Sequence, residues 1–370
     1  MSEPGKRASA ARMLPLVVFW GWSAGWGQPL DSGEKIFRAA CAACHGHDGR
    51  GQDRSQVGFE QPLPDFTDCN FNTREQAADW QAVVRRGGPA RGFSEIMPAF
   101  GEALTREQIE MVVEYLRGFC ADPAWPRGEL NLPRPLITSK AFPEDESVLT
   151  TTIHARGRPA FSSELVYEKR LSARDHVEWA LPLRFANPAE AKWRGGVGDL
   201  ALGYKRVLIH SQRSGSIFSL AGEVLLPTGD SSRGFGKGVT VFEPFVAYGQ
   251  VLPSEGFLQF QGGFELPTRT DDAARAAFWR TVIGRGFSQD GGDGRYWAPM
   301  VEFLADREFE SGARVIWDVV PQLHVTLSRR QHIRANFGVR IPVNQTAGRP
   351  VQVMFYLLWD RFDGGLREGW

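Results

Sequence analysis

From about Ser147 to the C-terminus the chain alternates apolar and polar residues with a period of two. Leu258, Phe260, Phe264 and Leu266 alternate with Gln259, Gln261 and Glu265. Ile333, Ala335, Phe337, Val339 and Ile341 alternate with Arg334, Asn336 and Arg340, and Val177, Trp179, Leu181 and Leu183 with Glu178 and Arg184. Phe218, Leu220, Val224 and Leu226 repeat the pattern against Ser219 and Glu223. Successive side chains of a strand point to opposite faces, so each segment has one apolar and one polar face. A soluble sandwich would turn the apolar face inward. A membrane barrel would turn it outward into lipid.

Several features favour the barrel. The segments approach the ~9–11 residues of a tilted spanning strand. Turn clusters such as Asp230–Gly234 and Gln289–Gly294 separate them, and Trp and Tyr recur near segment ends. The segments number roughly twelve, the even count of bacterial barrels. Pro182, Pro244, Pro299 and Pro321 argue the other way, because a closed sheet tolerates a missing N–H poorly. In a barrel Glu178, Arg184, Asp199, Lys205, Glu223, Gln259, Glu265, Arg314, Asp318, Arg334 and Arg340 face the lumen. They form either a salt-bridged filling or a polar path.

The N-terminal part carries a different signal. Cys41-Ala42-Ala43-Cys44-His45 is a C-x-x-C-H motif, the pattern of covalent haem attachment. Two thiols at this spacing can add to the two vinyl groups of one porphyrin edge, and the next residue supplies an axial imidazole. A zinc site would need a second ligand pair, and the sequence has no second C-x-x-C. Met97, in Ile96-Met97-Pro98-Ala99-Phe100, is the candidate second axial ligand; Met111, inside a helical segment, competes with it. His/Met ligation raises the potential and favours electron transfer. Of the other histidines, His47 lies in a turn-rich loop and reads as a surface residue. Helices are expected from Asp31 into the motif, from Thr73 to Arg85 and from Thr105, where Thr105 and Gln108 form a capping box. Cys69 and Cys120 remain as an even pair, either one disulfide or two free thiols; an oxidising compartment favours the disulfide.

Lys6, Arg7 and Arg12 precede the apolar run Met13–Gly27, which reads as a signal peptide (residues 1–27), with an uncleaved anchor as the alternative. Residues 28–120 form the haem domain, residues 121–146 a Pro-rich linker, and residues 147–370 the barrel. The linker's Leu130, Leu132, Leu136 and Phe142 suggest that it lies along a surface. Lys+Arg and Asp+Glu both total 43, and no basic stripe with interleaved aromatics supports nucleic-acid binding. No nucleophilic triad or phosphate-binding glycine loop is present.

Gly33-Glu34 through His45, the Met97-Pro98 loop, and Leu104-Thr105 through Tyr115-Leu116 resemble a mono-haem class I cytochrome c domain. That resemblance implies a small all-α fold with covalent haem c, exposed at one edge near its two ligands. Gly198-Asp199-Leu200, Leu225–Asp230 and the repeated hairpins are similar to outer-membrane transporters of the phenol-degradation (meta-pathway) type. The terminal aromatic, Trp370, following the strand Val351–Asp360, also resembles the ending of such barrels. The overall plan resembles the fused cytochrome–porins of iron-oxidising bacteria.

The expected architecture is therefore a small all-α cytochrome c domain followed by an all-β antiparallel transmembrane barrel of roughly twelve strands. A domain with a radius of gyration of about 13 Å does not fit within such a barrel, so it sits at a mouth. With an even strand count, both barrel ends and the haem face the periplasm of a Gram-negative-type bacterium. The leading expectation is an electron carrier, not an enzyme, because both axial positions are filled. Its partners are periplasmic redox proteins, outer-membrane lipid, and a small solute or an extracellular electron donor or acceptor. The alternative is a solute-transport barrel with the cytochrome as redox accessory or plug.

Overall fold

The computed structural model describes residues 29–58, 62–156, 158–187 and 192–370; the signal-peptide reading of residues 1–27 lies outside them. The helical part begins with α1 (Gly33–Ile36), which runs through a π-turn (Phe37–Cys41) into α2 (Ala42–His45). Then follow α3 (Arg54–Val57), α4 (Cys69–Asn72), α5 (Ala77–Arg86) and α6 (Arg106–Arg117). Ser32, one residue after the expected Asp31, caps α1 by accepting from Lys35 N. The helix expected from Thr73 starts at Ala77. The Thr73 hydroxyl instead donates to the Cys69 carbonyl at 2.7 Å, closing the preceding turn.

Thr105 and Gln108 form a complete capping box on α6. Its buried Ile109, Val112, Val113 and Leu116 share one core with Ile36, Phe37, Phe66 and Val84. Gly33 permits α1 and α6 to approach closely, since a Cβ there would stand 2.2 Å from the Met111 carbonyl oxygen. The Cys69 and Cys120 sulfurs are bonded, with Cα atoms 5.1 Å apart, tying α4 to the end of α6.

The barrel strands are β1 (Glu146–His154), β2 (Ala160–Arg170), β3 (Asp175–Ala186), β4 (Leu200–Ser211), β5 (Ser216–Leu226) and β6 (Val241–Leu252). They continue with β7 (Gly256–Pro267), β8 (Ala276–Arg285), β9 (Tyr296–Glu308), β10 (Ile316–Thr326), β11 (Ile333–Pro342) and β12 (Gln352–Asp360). Each pairs antiparallel with its sequence neighbours, and β1 pairs with β12, so the twelve-stranded sheet closes without an edge. Two short strands, Arg194–Val197 and Phe287–Ser288, flank this ring.

Leu149, Leu165, Leu183, Leu220, Phe264, Ile283, Phe303, Leu323, Phe337 and Leu357 are exposed on the outside. Gln259, Gln261, Glu302 and Asn336 are buried inside. Only lipid rewards that inversion of a soluble protein, and closure satisfies every backbone group that water cannot reach.

The four strand prolines fall where pairing is interrupted on one side. Pro244 lies between the pairs Phe242↔Leu266 and Phe245↔Gly263, and Pro321 between Val319↔Ile341 and Gln322↔Gly338. Pro182 lies where β3 changes partner from β4 to Arg194–Val197, and Pro299 just before the β8–β9 ladder begins at Met300. None needs the N–H it lacks.

The linker departs from expectation. It does not lie over an outer surface but threads the lumen as a strap. Leu136 packs against Val148, Val166, Leu304, Val320 and Met354 from five strands. Leu130, Ala141 and Phe142 pack against Val207, Ile217 and Ala247, while Leu132 meets Phe257, Val282, Ala298 and Met300. These inward apolar residues interrupt the polar lumen expected from alternation. Of the expected lumenal residues, Arg314 lies outside the strands in an exposed loop. Asp199 sits at the rim, accepting from Gly229 N and Lys237 N at 3.0 and 2.6 Å.

Trp370 also departs from the barrel-ending pattern. β12 stops at Asp360, and Trp370 belongs to a tail beyond it, its indole N–H donating to the Leu366 carbonyl at 2.9 Å. The tail lies against the helical domain: Phe71 and Phe362 rings stand 6.5 Å apart, and Gly92 packs on Gly369.

Candidate functional site: the haem motif and the strap

Cys41, Cys44 and His45 occupy consecutive turns from the π-turn into α2. Gly46 ends that helix at φ 71°, letting the chain double back. Gly51 N then donates to the His45 carbonyl at 2.9 Å and Gln52 N to the Cys44 carbonyl at 2.8 Å. The motif backbone is thus held by the glycine-rich loop that follows it.

The His45 ring centroid lies 5.1 Å from that of buried Phe66. Burial lowers the basicity of the imidazole, favouring the neutral form that can ligate a metal. Its Nδ1 is buried without a hydrogen-bond partner. Burial, followed by the neighbouring Cys44, pushes the Cys41 thiol up to about 11. Neither cysteine takes part in a disulfide, so both sulfurs are available to one porphyrin edge.

Cys41 and Met97 both pack on the helical core, with Leu30, Trp80 and Phe100. Met97 is held at its backbone: its carbonyl accepts from Gly88 N at 3.0 Å, and its N–H donates to the Ser94 carbonyl at 3.3 Å. Met111 lies within α6, and His47 is exposed. Two cysteines, a half-buried imidazole whose Nδ1 is buried and unpartnered, and a thioether packed on the same apolar core as Cys41 form a donor set that fits a c-type haem. Sequence reasoning missed Phe66, whose place against His45 depends on the fold and has no local motif.

In the lumen, every strand except β6 offers the strap a polar side chain. Glu302 Oε1 accepts from Leu136 N and Ile137 N at 2.8 and 3.1 Å, and Oε2 from Thr138 N and Oγ1 at 2.9 and 2.7 Å. Gln322 accepts from Leu136 N, Gln261 accepts from Ser139 N, and Arg280 donates to the Ile137 carbonyl. Lys205 donates to the Lys140 carbonyl and Ser219 to the Ala141 carbonyl, both at 2.6 Å. Gln259 donates to the Pro133 carbonyl, and Asn336 and Tyr356 donate to that of Arg134. Arg134 joins Glu146 and Glu168 at 2.6 and 2.9 Å.

Glu168, His176 and Glu178 also converge, in a grouping compatible with a metal ion. His176 Nδ1, however, accepts from Glu144 N at 3.0 Å. A neutral imidazole then carries its proton on Nε2, so this histidine is a structural member of the strap contact.

Residues 28–116 match the family model described as "Cytochrome C oxidase, cbb3-type, subunit III". No curated protein matches the sequence. Among solved structures, an outer membrane channel from Pseudomonas putida F1 is similar at 12% identity and TM-score 0.42, over 62% of this chain and 99% of that one. The KdgM porin is similar at 6% identity and TM-score 0.38, over 58% and 98% of the two chains. The NanC porin is similar at 8% and 0.40, over 57% and 97%. Together with the donor set, the closed sheet and its apolar exterior, the family match makes the chain a c-type cytochrome domain fused to a twelve-stranded barrel of the outer-membrane type.

Proposed function

We propose that this protein is an electron carrier whose covalently bound haem c is held at the periplasmic mouth of an outer-membrane barrel that its own linker keeps closed. Cys41 and Cys44 would form the thioethers, and His45 and Met97 would ligate the iron. Bound there, the haem would supply one-electron redox chemistry. His45 packs against Phe66, which shares a core with Trp80 and α6, and burial favours the neutral imidazole that would hold the iron.

The observation that carries this reading is the strap. A barrel whose lumen is crossed by a segment bonded to eleven of its strands is built to hold the cytochrome in place and to admit no large solute. The alternative of a cytochrome plug is weakened, because the strap, not the helical domain, fills the lumen. Loop lengths support the orientation. Turns on the cytochrome side are short at 171–174, 212–215 and 253–255, and the two longer ones, 286–295 and 327–332, are those that contact the helical domain; opposite loops include 227–240 and 268–275. Short turns characterise the periplasmic side of such barrels.

Membrane fractionation with a haem stain tests this directly. The haem-staining band is expected in the outer membrane with heat-modifiable migration, reducible by a periplasmic-side donor. A soluble haem protein overturns the proposal.

A further inference from the structure

The loop 286–295, between β8 and β9, reaches from the barrel mouth to the C-terminal end of α5. Asp293, its side chain only 7% exposed, receives two arginines: Arg85 Nη1 on Oδ1 at 2.8 Å and Arg86 Nε on Oδ2 at 2.6 Å. The third arginine of this segment, Arg91, is buried. Its Nη1 donates to the Asp293 carbonyl at 2.6 Å and its Nη2 to that of Gly292 at 2.9 Å, while Nε reaches Asp79 at 3.0 Å.

These arginines bracket Gly87 and Gly88, the residues that back Met97. Gly88 N donates to the Met97 carbonyl at 3.0 Å, Phe100 N to Val84 at 2.9 Å and Gly101 N to Arg85 at 3.0 Å. The approach is tight: a Cβ on Gly88 would lie 2.1 Å from the Ser94 carbonyl oxygen and one on Gly87 2.9 Å from that of Met97. A second barrel turn grips the same loop from its other side. Arg330 Nη2 donates to the Gly92 carbonyl at 2.6 Å, and the guanidinium lies 4.5 Å from the Phe93 ring centroid. The intervening Phe93, Ile96, Pro98 and Ala99 are exposed. Segments with so few buried contacts open with little free energy. The loop therefore depends on its base, and the barrel holds that base.

We propose that Asp293 is a positioning residue for Met97: through Arg85, Arg86 and Arg91 the barrel mouth keeps the thioether loop in its ligating position. This rests on the reading of Met97 as an axial ligand. It makes the redox property of the cytochrome a function of its seating on the barrel, since losing a thioether ligand lowers the potential.

The test uses full-length holoprotein with three single substitutions, Asp293→Asn, Arg86→Gln and Met97→Ala. Arg86 is more than half exposed, so its replacement leaves folding intact. The readouts are the thioether-to-ferric-iron charge-transfer band, the midpoint potential, the rate at which added imidazole binds the ferric iron, and amide exchange across residues 87–100. Met97→Ala should abolish the band. Asp293→Asn and Arg86→Gln should keep a weakened band, lower the potential, speed amide exchange, and bind imidazole about tenfold faster, as expected for loss of a charge-assisted hydrogen bond. An unchanged band in Met97→Ala removes the ligand reading and this inference with it. A lost band in Met97→Ala, with wild-type imidazole rates, potential and exchange in both other variants, overturns the positioning role alone.

Discussion

Thr138 gives both its backbone N–H and its hydroxyl to one oxygen of Glu302, at 2.9 and 2.7 Å. Glu302 is fully buried, and its other oxygen takes two more strap amides. One wall carboxylate thus terminates the hydrogen bonding of a whole strap turn. Glu302→Ala leaves Ile137 N, Thr138 N and the Thr138 hydroxyl without an acceptor, while Leu136 N keeps Gln322, at about 1–3 kcal/mol for each buried group left unsatisfied. The strap should loosen, and reconstituted protein should show intermittent ion conductance. Glu302→Gln, which keeps one carbonyl acceptor, should be milder.

The exterior gives a second prediction. Phe337 lies mid-strand in β11 and is exposed on the outer face. Phe337→Arg should cost about 2–4 kcal/mol where the side chain meets the bilayer midplane. It should be measured as impaired folding into lipid vesicles, read by heat-modifiable migration. In a soluble sandwich the same exposed replacement would be tolerated.

The Cys69–Cys120 bond closes a loop with sequence separation 51. The paired substitution to serine should destabilise the helical domain by about 2–4 kcal/mol. Denaturant titration followed by haem absorbance measures it, with the bands of the folded domain unchanged in the absence of denaturant.

At the seam, Glu75 meets the carboxylates of Asp360 and Asp363. Burial, then Asp360 and Asp79, pushes its carboxyl up to about 7. The folded state then holds a proton that the unfolded state releases near pH 4.5, so stability at the seam is full below that value and declines as pH rises through 7. The protection of amides in residues 73–79 of the full-length protein, taken relative to their intrinsic base-catalysed exchange, should fall between pH 5 and about 8. Glu75→Gln should flatten that dependence.

The sequence made some of this legible and hid the rest for identifiable reasons. Period-two alternation reads out which way each strand faces, and the C-x-x-C-H spacing is local chemistry, so both were visible. The strand prolines looked adverse because a missing N–H matters only where a neighbour pairs, and pairing gaps do not show in one strand alone. The strap was opaque for a related reason. Leu130, Leu132, Leu136 and Phe142 follow no period, since they match three separate wall clusters. Asp293 sits in a glycine-rich stretch that reads as a turn, and its arginines lie about two hundred residues earlier.

Single-channel recording of the full-length holoprotein in planar bilayers, with haem reduction followed in the same preparation, tests the strap-closed carrier most directly. The expected result is a wild-type protein that accepts electrons from an added donor while remaining electrically silent, with openings only when Glu302→Ala frees the strap. Steady conductance through the wild-type barrel would contradict it and restore the solute channel as the primary function.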